Sequence, residues 1–403
     1  MKNLKDSSLN YQMQIEKKAV DRIKSNPKYF YSFAKKKAKH KKGITQLLTP
    51  NKDVITDRKL IADTLQNQFC SAFSNPNNPN KVVPDSQPSA ISLSDVSFSQ
   101  DDTIMAIDEI NINSSCPDFS IPARVLKNCK EALSKPLYLL WKESFSTGIV
   151  PAYYKQQIIT PVYKKGSRSI PSNYHPISLT SHEVKIFERI LRRRMMDYLE
   201  SNEMLTCKQH GFRKGKSCLS QLLKQYDDIL HNLLDQNETD VIYLDFAKAF
   251  DKVDHQILFK KLSNLGISGN LLAWLKNFLT DRNQTVVVDG VISYVAMVLS
   301  GVLQGTVLGP ILFLIFINDI STDIQHSVIS CFADDTRLSK SISTEQDSLL
   351  LQEDLNKLLH WAKLNNMEMH EDKFVYVNFN NRSKHFFRFI MIVKITQFPT
   401  IYP

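Results

Sequence analysis

The order of apolar and polar positions along the chain predicts short strands and amphipathic helices in a mixed α and β fold. Residues 241–244 form a β-prone run with no polar alternation, which is typical of a strand buried on both faces. This run ends directly at Asp245. A second apolar run ends at Phe332, just before Asp334 and Asp335, and two adjacent aspartates between apolar stretches predict the tip of a tight β-hairpin.

The same pattern predicts where the other elements lie, and Ser99 with Asp102 indicates a capping box at the start of one helix. The predicted helices cover residues 5–40, 56–73, 99–111, 184–199, 271–278, 311–320 and 344–365. The predicted strands cover residues 158–163 and 173–179, which form a hairpin, and 284–288 and 291–298, which pair with each other.

Composition excludes several classes of protein. The chain has 403 residues, 42% hydrophobic and 23% charged, which is typical of a globular protein of two or three lobes. Its longest apolar run, residues 311–317, is far shorter than the roughly 20 residues of a membrane span, and the N-terminus has no apolar core for secretion. The six cysteines form no C-x-x-C pair, which argues against a zinc site or a disulfide framework. We therefore expect an intracellular protein of the nucleus and cytoplasm with no membrane partner.

Positive charge is concentrated near the N-terminus. Residues 1–60 contain sixteen Lys and Arg against five Asp and Glu, while the whole chain has a formal net charge of +10. The densest cluster, residues 35–42, is either a solvated helix end or nuclear-localisation signal, or a sequence-independent clamp on phosphates. Four aromatic side chains beside it either pack against the next lobe or stack on bases: Tyr29, Phe30, Tyr31 and Phe33.

Three aspartates carry the candidate chemistry. A carboxylate at the end of a buried strand is unfavourable unless a positive charge meets it. Asp245 beside Asp334 and Asp335 would crowd negative charges together, and such clusters hold a pair of divalent cations about 3.5–4 Å apart in polymerases and nucleases. Adjacent aspartates alone more often form a solvated turn, so the prediction depends on the two stretches occurring together.

Three blocks resemble those of reverse transcriptases in order and spacing: YLDFAKAFDKVDH at 243–255, SGVLQGTVLGPILFLIFINDI at 300–320 and FADDT at 332–336. From about residue 104 to 379 the chain is similar to the polymerase of non-LTR retrotransposons, above all the jockey-like elements. The resemblance implies an α+β, right-hand polymerase fold with fingers, palm and a truncated thumb, preceded by a basic helical N-terminal arm. It also implies helices over residues 121–140, 141–151 and 220–234. It implies an RNA-directed DNA polymerase that uses an RNA template, a DNA primer, a dNTP and two Mg²⁺ ions.

The resemblance also assigns roles to single residues. Asp245 and Asp334 would hold the two Mg²⁺ ions together with the backbone carbonyl of Phe246, and Asp335 would be less directly ligated. Phe250 would lie under the sugar and exclude a 2′-hydroxyl, the alternative being a plain core aromatic. The other residues assigned to nucleotide binding are Gln304, Gly305, Lys164, Arg168, His175 and Lys373. Those assigned to nucleic-acid binding are Lys165, Arg189, Arg193, Arg213 and Lys214, while Asp251, Asp254 and His255 are interpreted as structural.

The chain departs from the family pattern at two of these sites. His175 takes the place of an arginine, and a mostly neutral histidine supplies less charge to a phosphate. Leu303 takes the place of a proline that rigidifies the turn before Gln304. We also expect the chain to lack the endonuclease and most of the thumb. The alternative function is therefore a catalytically impaired relic that only binds nucleic acid, whereas an intron maturase or telomerase-type enzyme fits the blocks less well.

These patterns divide the chain into five segments. We expect a basic helical N-terminal region at 1–74, a Pro/Asn/Ser-rich linker at 75–95 and a helical lead-in to the fingers at 96–150. Fingers and palm would follow at 151–380, and a C-terminal tail that departs from the family pattern at 381–403. The oligomeric state is left open by the sequence.

Overall fold

The structure is a computed structural model that describes residues 43–49, 51–74, 89–370 and 373–380, with six helical residues between positions 13 and 21. Several predictions lie outside these residues: most of the basic N-terminal region with its aromatic side chains, most of the linker, and the tail at 381–403. None of the helices in the described segments combines the length and apolar composition that crossing a bilayer requires.

The described residues form both helices and strands. The helices are α1 (Arg58–Cys70), α2 (Gln100–Asp108), α3 (Ala123–Asn128), α4 (Lys130–Thr147), α5 (His182–Ser201), α6 (Cys218–Leu234), α7 (Ala249–Lys252), α8 (His255–Asn264), α9 (Gly269–Leu279), α10 (Gly309–Phe316) and α11 (Glu345–Leu364). The strands are β1 (Leu47–Leu48), β2 (Val54–Ile55), β3 (Gln156–Tyr163), β4 (Tyr174–Leu179), β5 (Glu238–Leu244), β6 (Arg282–Val288), β7 (Val291–Ile292), β8 (Ala296–Val298), β9 (Val328–Phe332), β10 (Asp335–Ile342) and β11 (Val375–Phe379). Two 3₁₀ turns lie at Ala152–Lys155 and Pro171–Asn173.

Two larger sheets organise these elements into an α+β fold. A four-stranded sheet has the order β11-β5-β10-β9, and all of its neighbouring strands are antiparallel. A five-stranded sheet has the order β4-β3-β6-β7, with β8 also paired to β6. The predicted hairpin of β3 and β4 is present, and β3 pairs in parallel with β6 on its other side. Strands β1 and β2 form a separate short ladder.

The strand that leads to Asp245 lies in the interior of the four-stranded sheet, between β10 and β11. Val241 and Ile242 are fully buried and Leu244 is nearly so, which confirms the prediction of a strand with both faces covered. A smaller core joins α1 to the five-stranded sheet through Ile61 and Leu65, which pack with residues of β3 and β6. Burial of these apolar side chains holds each sheet against its helices.

The predicted strand at 291–298 is wrong as a single element. The structure divides it into β7 and β8, and Ser293 lies at the break. The amide of Ser293 donates to the carbonyl of Val286 at 2.9 Å, and its hydroxyl accepts from the amide of Val286 at 2.9 Å. These two bonds replace the regular ladder at that point, so the strand bends there.

Several predicted helix ends are also wrong. The helices predicted at 121–140 and 141–151 are α3 and α4, which are separated at Cys129, and α4 ends before Gly148. Gly148 has a φ of +67°, the left-handed conformation that commonly ends a helix. Helix α10 ends at Phe316 rather than at 320. The capping box of α2 is confirmed, with bonds in both directions between Ser99 and Asp102.

Candidate active site

Three aspartates lie at one end of the four-stranded sheet. Asp245 directly follows β5, whose last residue, Leu244, pairs with Thr336 of β10. Asp335 precedes Thr336, so it lies at the same end of the adjacent strand. Asp334 lies in the two-residue turn that joins β9 to β10, which confirms the predicted tight hairpin. The structure therefore brings together the carboxylates that the sequence places about 90 residues apart.

The charges of neighbouring carboxylates raise the pKa of Asp334 and of Asp335. Burial is the main cause that raises the pKa of Asp334, and the negative charges of Asp335 and Asp245 raise it further. The pKa of Asp335 is also raised, by burial and by the charge of Asp245, although this side chain is exposed to solvent. The ammonium of Lys373 opposes both shifts. A positive charge at the site would relieve this repulsion between carboxylates.

Lys373 supplies such a positive charge through an ion pair with Asp245. The backbone around Asp245 is fixed by the segment that precedes Lys373 in the chain. The carbonyl of Asp245 accepts from the amide of His370 at 2.8 Å, and the amide of Ala247 donates to the carbonyl of Glu368 at 2.8 Å. Binding of the nucleotide by Lys373 remains a prediction. It is compatible with the position of Lys373 beside Asp245, a candidate metal ligand.

A glutamine that the sequence analysis did not assign holds the turn with Asp334. The Oε1 atom of Gln209 accepts from the amides of Ala333 at 2.9 Å and Gly211 at 2.7 Å, and its Nε2 donates to the carbonyl of Ala333 at 3.3 Å. Ala333 has a φ of +53°, which is uncommon for a residue with a side chain. A Cβ on Gly211 would lie 2.5 Å from the amide nitrogen of Ala333, so only glycine permits this approach.

Two aromatic residues follow Asp245. Phe246 is buried, and its backbone forms a bridge with Met369. Phe250 is half-buried and stacks on Phe313, with ring centroids 4.4 Å apart and an interplanar angle of 13°. Phe212 meets the ring of Phe250 edge-on at 6.3 Å. The exposed part of the Phe250 ring could contact a ligand, while its buried part packs against the core.

The loop that carries Gln304 is attached to the five-stranded sheet. The carbonyl of Gln304 accepts from the amide of Ser178 in β4 at 2.9 Å, and its side-chain Nε2 donates to the Oδ1 atom of Asp251 at 3.2 Å. Gly305 has a φ of +108°, and a Cβ there would lie 2.6 Å from the carbonyl oxygen of Ser178. Leu303, where a proline was expected, has a buried side chain that anchors the turn in the core.

The turn between β3 and β4 presents three exposed basic side chains, Lys164, Lys165 and Arg168. The guanidinium of Arg168 lies over the ring of Tyr163, 4.3 Å from its centroid. The positive charge of Lys164 opposes the rise in the pKa of Asp335. Contact of this turn with phosphate remains a prediction.

His175 lies on β4, opposite Val162 of β3. Burial is the main cause that lowers its pKa, and the positive charges of Lys164 and Lys373 lower it further. The imidazole is therefore neutral at pH 7. The structure places this departure from the family pattern among the cations that surround the aspartates.

Two of the arginines predicted to contact nucleic acid form ion pairs with acidic side chains near α2. The Nε atom of Arg189 lies 3.6 Å from Glu109, and the guanidinium of Arg193 lies 2.8 Å from Glu109 and 3.7 Å from Asp102. These pairs join α5 to the end of α2. Contact of either arginine with RNA remains a prediction.

Arg213 and Lys214 are neighbours in different surroundings. The guanidinium of Arg213 is bound to the carboxylate of Glu200, with its Nε atom at 3.0 Å, and donates to the carbonyls of Leu205 at 3.3 Å and Thr206 at 2.7 Å. Lys214 is exposed. The structure therefore gives Arg213 a structural role, because its donors are already used, and leaves Lys214 accessible to a ligand.

Comparison with known proteins agrees with this geometry. Residues 162–390, more than half of the chain, match the family described as reverse transcriptase (RNA-dependent DNA polymerase). This chain belongs to the reverse transcriptase family. The resemblance carried by the three sequence blocks is thereby confirmed.

Curated relatives of this reverse transcriptase chain come from mobile elements. It is 30% identical over 236 residues to the probable RNA-directed DNA polymerase from transposon BS of Drosophila melanogaster, covering 56% of this chain and 26% of the relative. It is 30% identical over 256 residues to the RNA-directed DNA polymerase from mobile element jockey of the same species, covering 61% and 28%. For the retrovirus-related Pol polyprotein from the R2 element of Popillia japonica, identity is 28% over 247 residues, covering 57% and 33%. The chain therefore spans a quarter to a third of these relatives.

Reverse transcriptases depend on a divalent metal ion, and the three carboxylates suit such an ion chemically. The charges of Asp335 and Asp245 raise the pKa of Asp334, and a cation beside these carboxylates would relieve the repulsion. As the side chains stand, no group of three or more His, Cys, Asp or Glu in the described segments surrounds a common position for a metal. Lys373 instead provides the positive charge next to Asp245.

Proposed function

We propose that this chain is the fingers and palm of an RNA-directed DNA polymerase, which extends a DNA primer on an RNA template by phosphoryl transfer from a dNTP. The observation that carries the proposal is the meeting of Asp245, at the end of β5, with Asp334 and Asp335, at the tip of the β9–β10 hairpin. The names of the relatives support the same activity.

In this proposal Asp245 and Asp334 hold two Mg²⁺ ions together with the backbone carbonyl of Phe246. Asp335 is less directly involved because its side chain is exposed. When bound, the two metal ions would supply charge that activates the primer 3′-hydroxyl and neutralises the departing pyrophosphate. Before the ions bind, Lys373 partly compensates the charge of Asp245, and it would then be free to turn toward the triphosphate.

The nucleotide would lie between the aspartates and the β3–β4 hairpin. Lys164 and Arg168 extend from the turn of that hairpin and would contact the triphosphate as charged donors. His175 would contribute a neutral hydrogen bond. Phe250 would limit space at the sugar, because its ring is fixed against Phe313 in the core.

The template would be held by exposed basic side chains. Lys165 and Lys214 are the described candidates whose side chains are exposed. The basic N-terminal arm would add a salt-sensitive, sequence-independent contact with phosphates.

A second candidate function is a relic that binds nucleic acid without polymerising. The specific observation that favours it is the neutral His175, since an arginine at that position would carry a permanent charge toward the triphosphate. Leu303 is weaker support for the relic, because its side chain is buried and can hold the turn before Gln304 by packing instead of by the fixed φ of a proline.

Primer extension on poly(rA)/oligo(dT) with dTTP and Mg²⁺ separates the two functions. The wild-type chain should extend the primer, and Asp334→Asn should reduce the rate by about a hundredfold or more while leaving RNA affinity unchanged. Asp323→Asn, at an exposed position, is the matched control and should behave as wild type. Equal extension by the wild type and the Asp334 variant would refute the assigned site. Salt-sensitive RNA binding without any extension would establish the relic.

A further inference from the structure

Helix α6 turns an apolar face toward solvent. A surface helix of a globular protein normally buries its apolar stripe and exposes its polar side. In α6 six large side chains at helical spacing are instead exposed: Leu219 (65%), Leu222 (52%), Leu223 (59%), Tyr226 (61%), Leu230 (39%) and Leu234 (79%). A contiguous apolar surface of this kind marks a contact with another segment or molecule.

The opposite face of α6 faces the four-stranded sheet, and its buried residues are Gln221, Gln225 and Ile229. The Nε2 atom of Gln221 donates to the hydroxyl of Ser330 on β9 at 2.9 Å, and the Nε2 atom of Gln225 donates to the hydroxyl of Tyr243 on β5 at 2.7 Å. Gln225 also accepts from Arg337 of β10. Hydrogen bonds therefore set the position of α6 on the sheet. Its apolar face remains available for contact with another segment or molecule.

The described chain ends beside the C-terminal end of this helix. Strand β11 pairs with β5 so that Phe379 lies opposite Thr239. Thr239 follows α6 closely in sequence, and its hydroxyl accepts from the Nδ2 atom of Asn232 in the last turn of the helix at 3.0 Å. The last described residues of the chain therefore lie near the end of α6 that carries Leu234, the most exposed member of the apolar face.

The sequence of this segment complements the face of α6. Eight of the ten residues at 386–395 are apolar, and 381–403 contains four Lys and Arg and no acidic residue. The free flank and end of α6 carry the exposed acids Asp227 and Asp235. A helix of this length is about 25 Å long, and ten extended residues span up to roughly 33–36 Å, so the segment can reach every turn of α6.

We propose that residues 386–395 bind the outward face of α6 formed by Leu219, Leu222, Leu223, Tyr226, Leu230 and Leu234. The segment runs from the C-terminal end of the helix toward its N-terminal end, and its basic residues lie near Asp227 and Asp235. The contact supports the helix whose inner face positions β5 and β9, the strands that lead to Asp245 and Asp334. It does not depend on polymerase activity.

Photo-crosslinking of the full chain tests this contact. The photoreactive residue p-benzoylphenylalanine is placed at position 226 in α6, and the products are mapped by mass spectrometry. We expect intrachain links to residues 386–395, at a yield independent of protein concentration. The control carries the same probe at position 139, since Leu139 on α4 is also exposed (52%), and should give no such links.

A second substitution identifies the surface that binds. Leu222→Lys should reduce the yield of the link from position 226 by about tenfold, since it removes a half-exposed leucine from the apolar face. Leu139→Lys changes a leucine of equal exposure on α4 and should leave the yield unchanged. Links between two chains would show that a second copy covers α6 and would overturn the proposal, as would links to residues 1–42 or the absence of links to 386–395.

Discussion

The carboxylate of Asp251 accepts a hydrogen bond from the side-chain amide of Gln304, with Oδ1 and Nε2 3.2 Å apart. The two residues belong to separate sequence blocks, and backbone bonds also join their loops. The amide of Gly301 donates to the carbonyl of Val253, and the amide of Val302 donates to the carbonyl of Phe250, both at 2.8 Å. A carboxylate can only accept, so Asp251 fixes the amide of Gln304 with Nε2 toward itself and leaves Oε1 for another donor.

The first prediction concerns the pH dependence of stability. Burial raises the pKa of Asp251 to about 6, from 3.8, against the opposing charge of Lys248 and the bond from Gln304. The folded state then binds more protons than the unfolded state between these two values, so stability falls as pH rises from 3.8 to about 6 and stays lower above it. Asp251→Asn keeps an acceptor for Gln304 and removes the titration. We expect the variant to gain about 1–2 kcal/mol relative to wild type on going from pH 4 to pH 7.

Urea denaturation at both pH values measures this difference. Asp323→Asn, on the surface, serves as control and should show a much smaller change between the two conditions. If the free energy of unfolding of the Asp251 variant differed from wild type by the same amount at both pH values, the raised pKa would be excluded.

The second prediction concerns the close approach of the Gln304 loop to β4. Gly305→Ala would place a Cβ 2.6 Å from the carbonyl oxygen of Ser178, at a φ of +108°. We expect it to lower the free energy of unfolding by about 2 kcal/mol or more, because backbone cannot move aside as a flexible side chain can. Gly290→Ala has a φ of +85° and no atom within 4 Å of the new Cβ, so it carries the φ penalty alone. Equal losses in the two variants would show that the contact with Ser178 is unimportant.

The third prediction separates structure from RNA contact in two neighbouring residues. Arg213→Ala leaves the partly buried Glu200 without its cation and should lower stability by about 2–3 kcal/mol in thermal or urea denaturation. Lys214→Ala should leave stability unchanged but weaken RNA binding and reduce the salt dependence of log K by about one. A fall in stability for the lysine variant, or an unchanged arginine variant, would reverse these roles.

The fourth prediction concerns the departure at His175. His175→Arg adds a permanent charge close to Lys164 and Lys373, which lower the pKa of the present histidine. Without a nucleotide we expect lower thermal stability from repulsion among these cations. With a triphosphate bound, the arginine should lower the KM for dTTP by about tenfold, as expected of a charge-assisted hydrogen bond. His175→Gln, a neutral control, should leave KM close to the wild-type value. An unchanged KM in the arginine variant would place position 175 outside the nucleotide site.

Elements that follow from local pattern were predicted correctly. The buried run at 241–244 became β5, and the two aspartates after an apolar run became the turn of β9 and β10. The capping box of Ser99 and Asp102 is present in full. In each case neighbouring residues alone determine the outcome, through side-chain burial or a short-range hydrogen bond.

Features that depend on distant partners were missed. Asp251 was interpreted as structural, and its bond to Gln304 requires two loops that only the folded sheets bring together. Gln209 has no local signal beyond its glycine neighbour Gly211, because its partner Ala333 lies far along the chain. Single-sequence patterns do not record such pairings.

The side chain of Gln209 forms two hydrogen bonds with the backbone of Ala333. The turn of the β9–β10 hairpin therefore depends on a loop that precedes β5. An N-terminally shortened version starting after residue 211 would retain Asp245, Asp334 and Asp335, yet it would lose the hydrogen bonds from Gln209 that hold the left-handed backbone of Ala333 next to Asp334. Possession of the three acids is thus a poor guide to whether a shortened relative can still orient them.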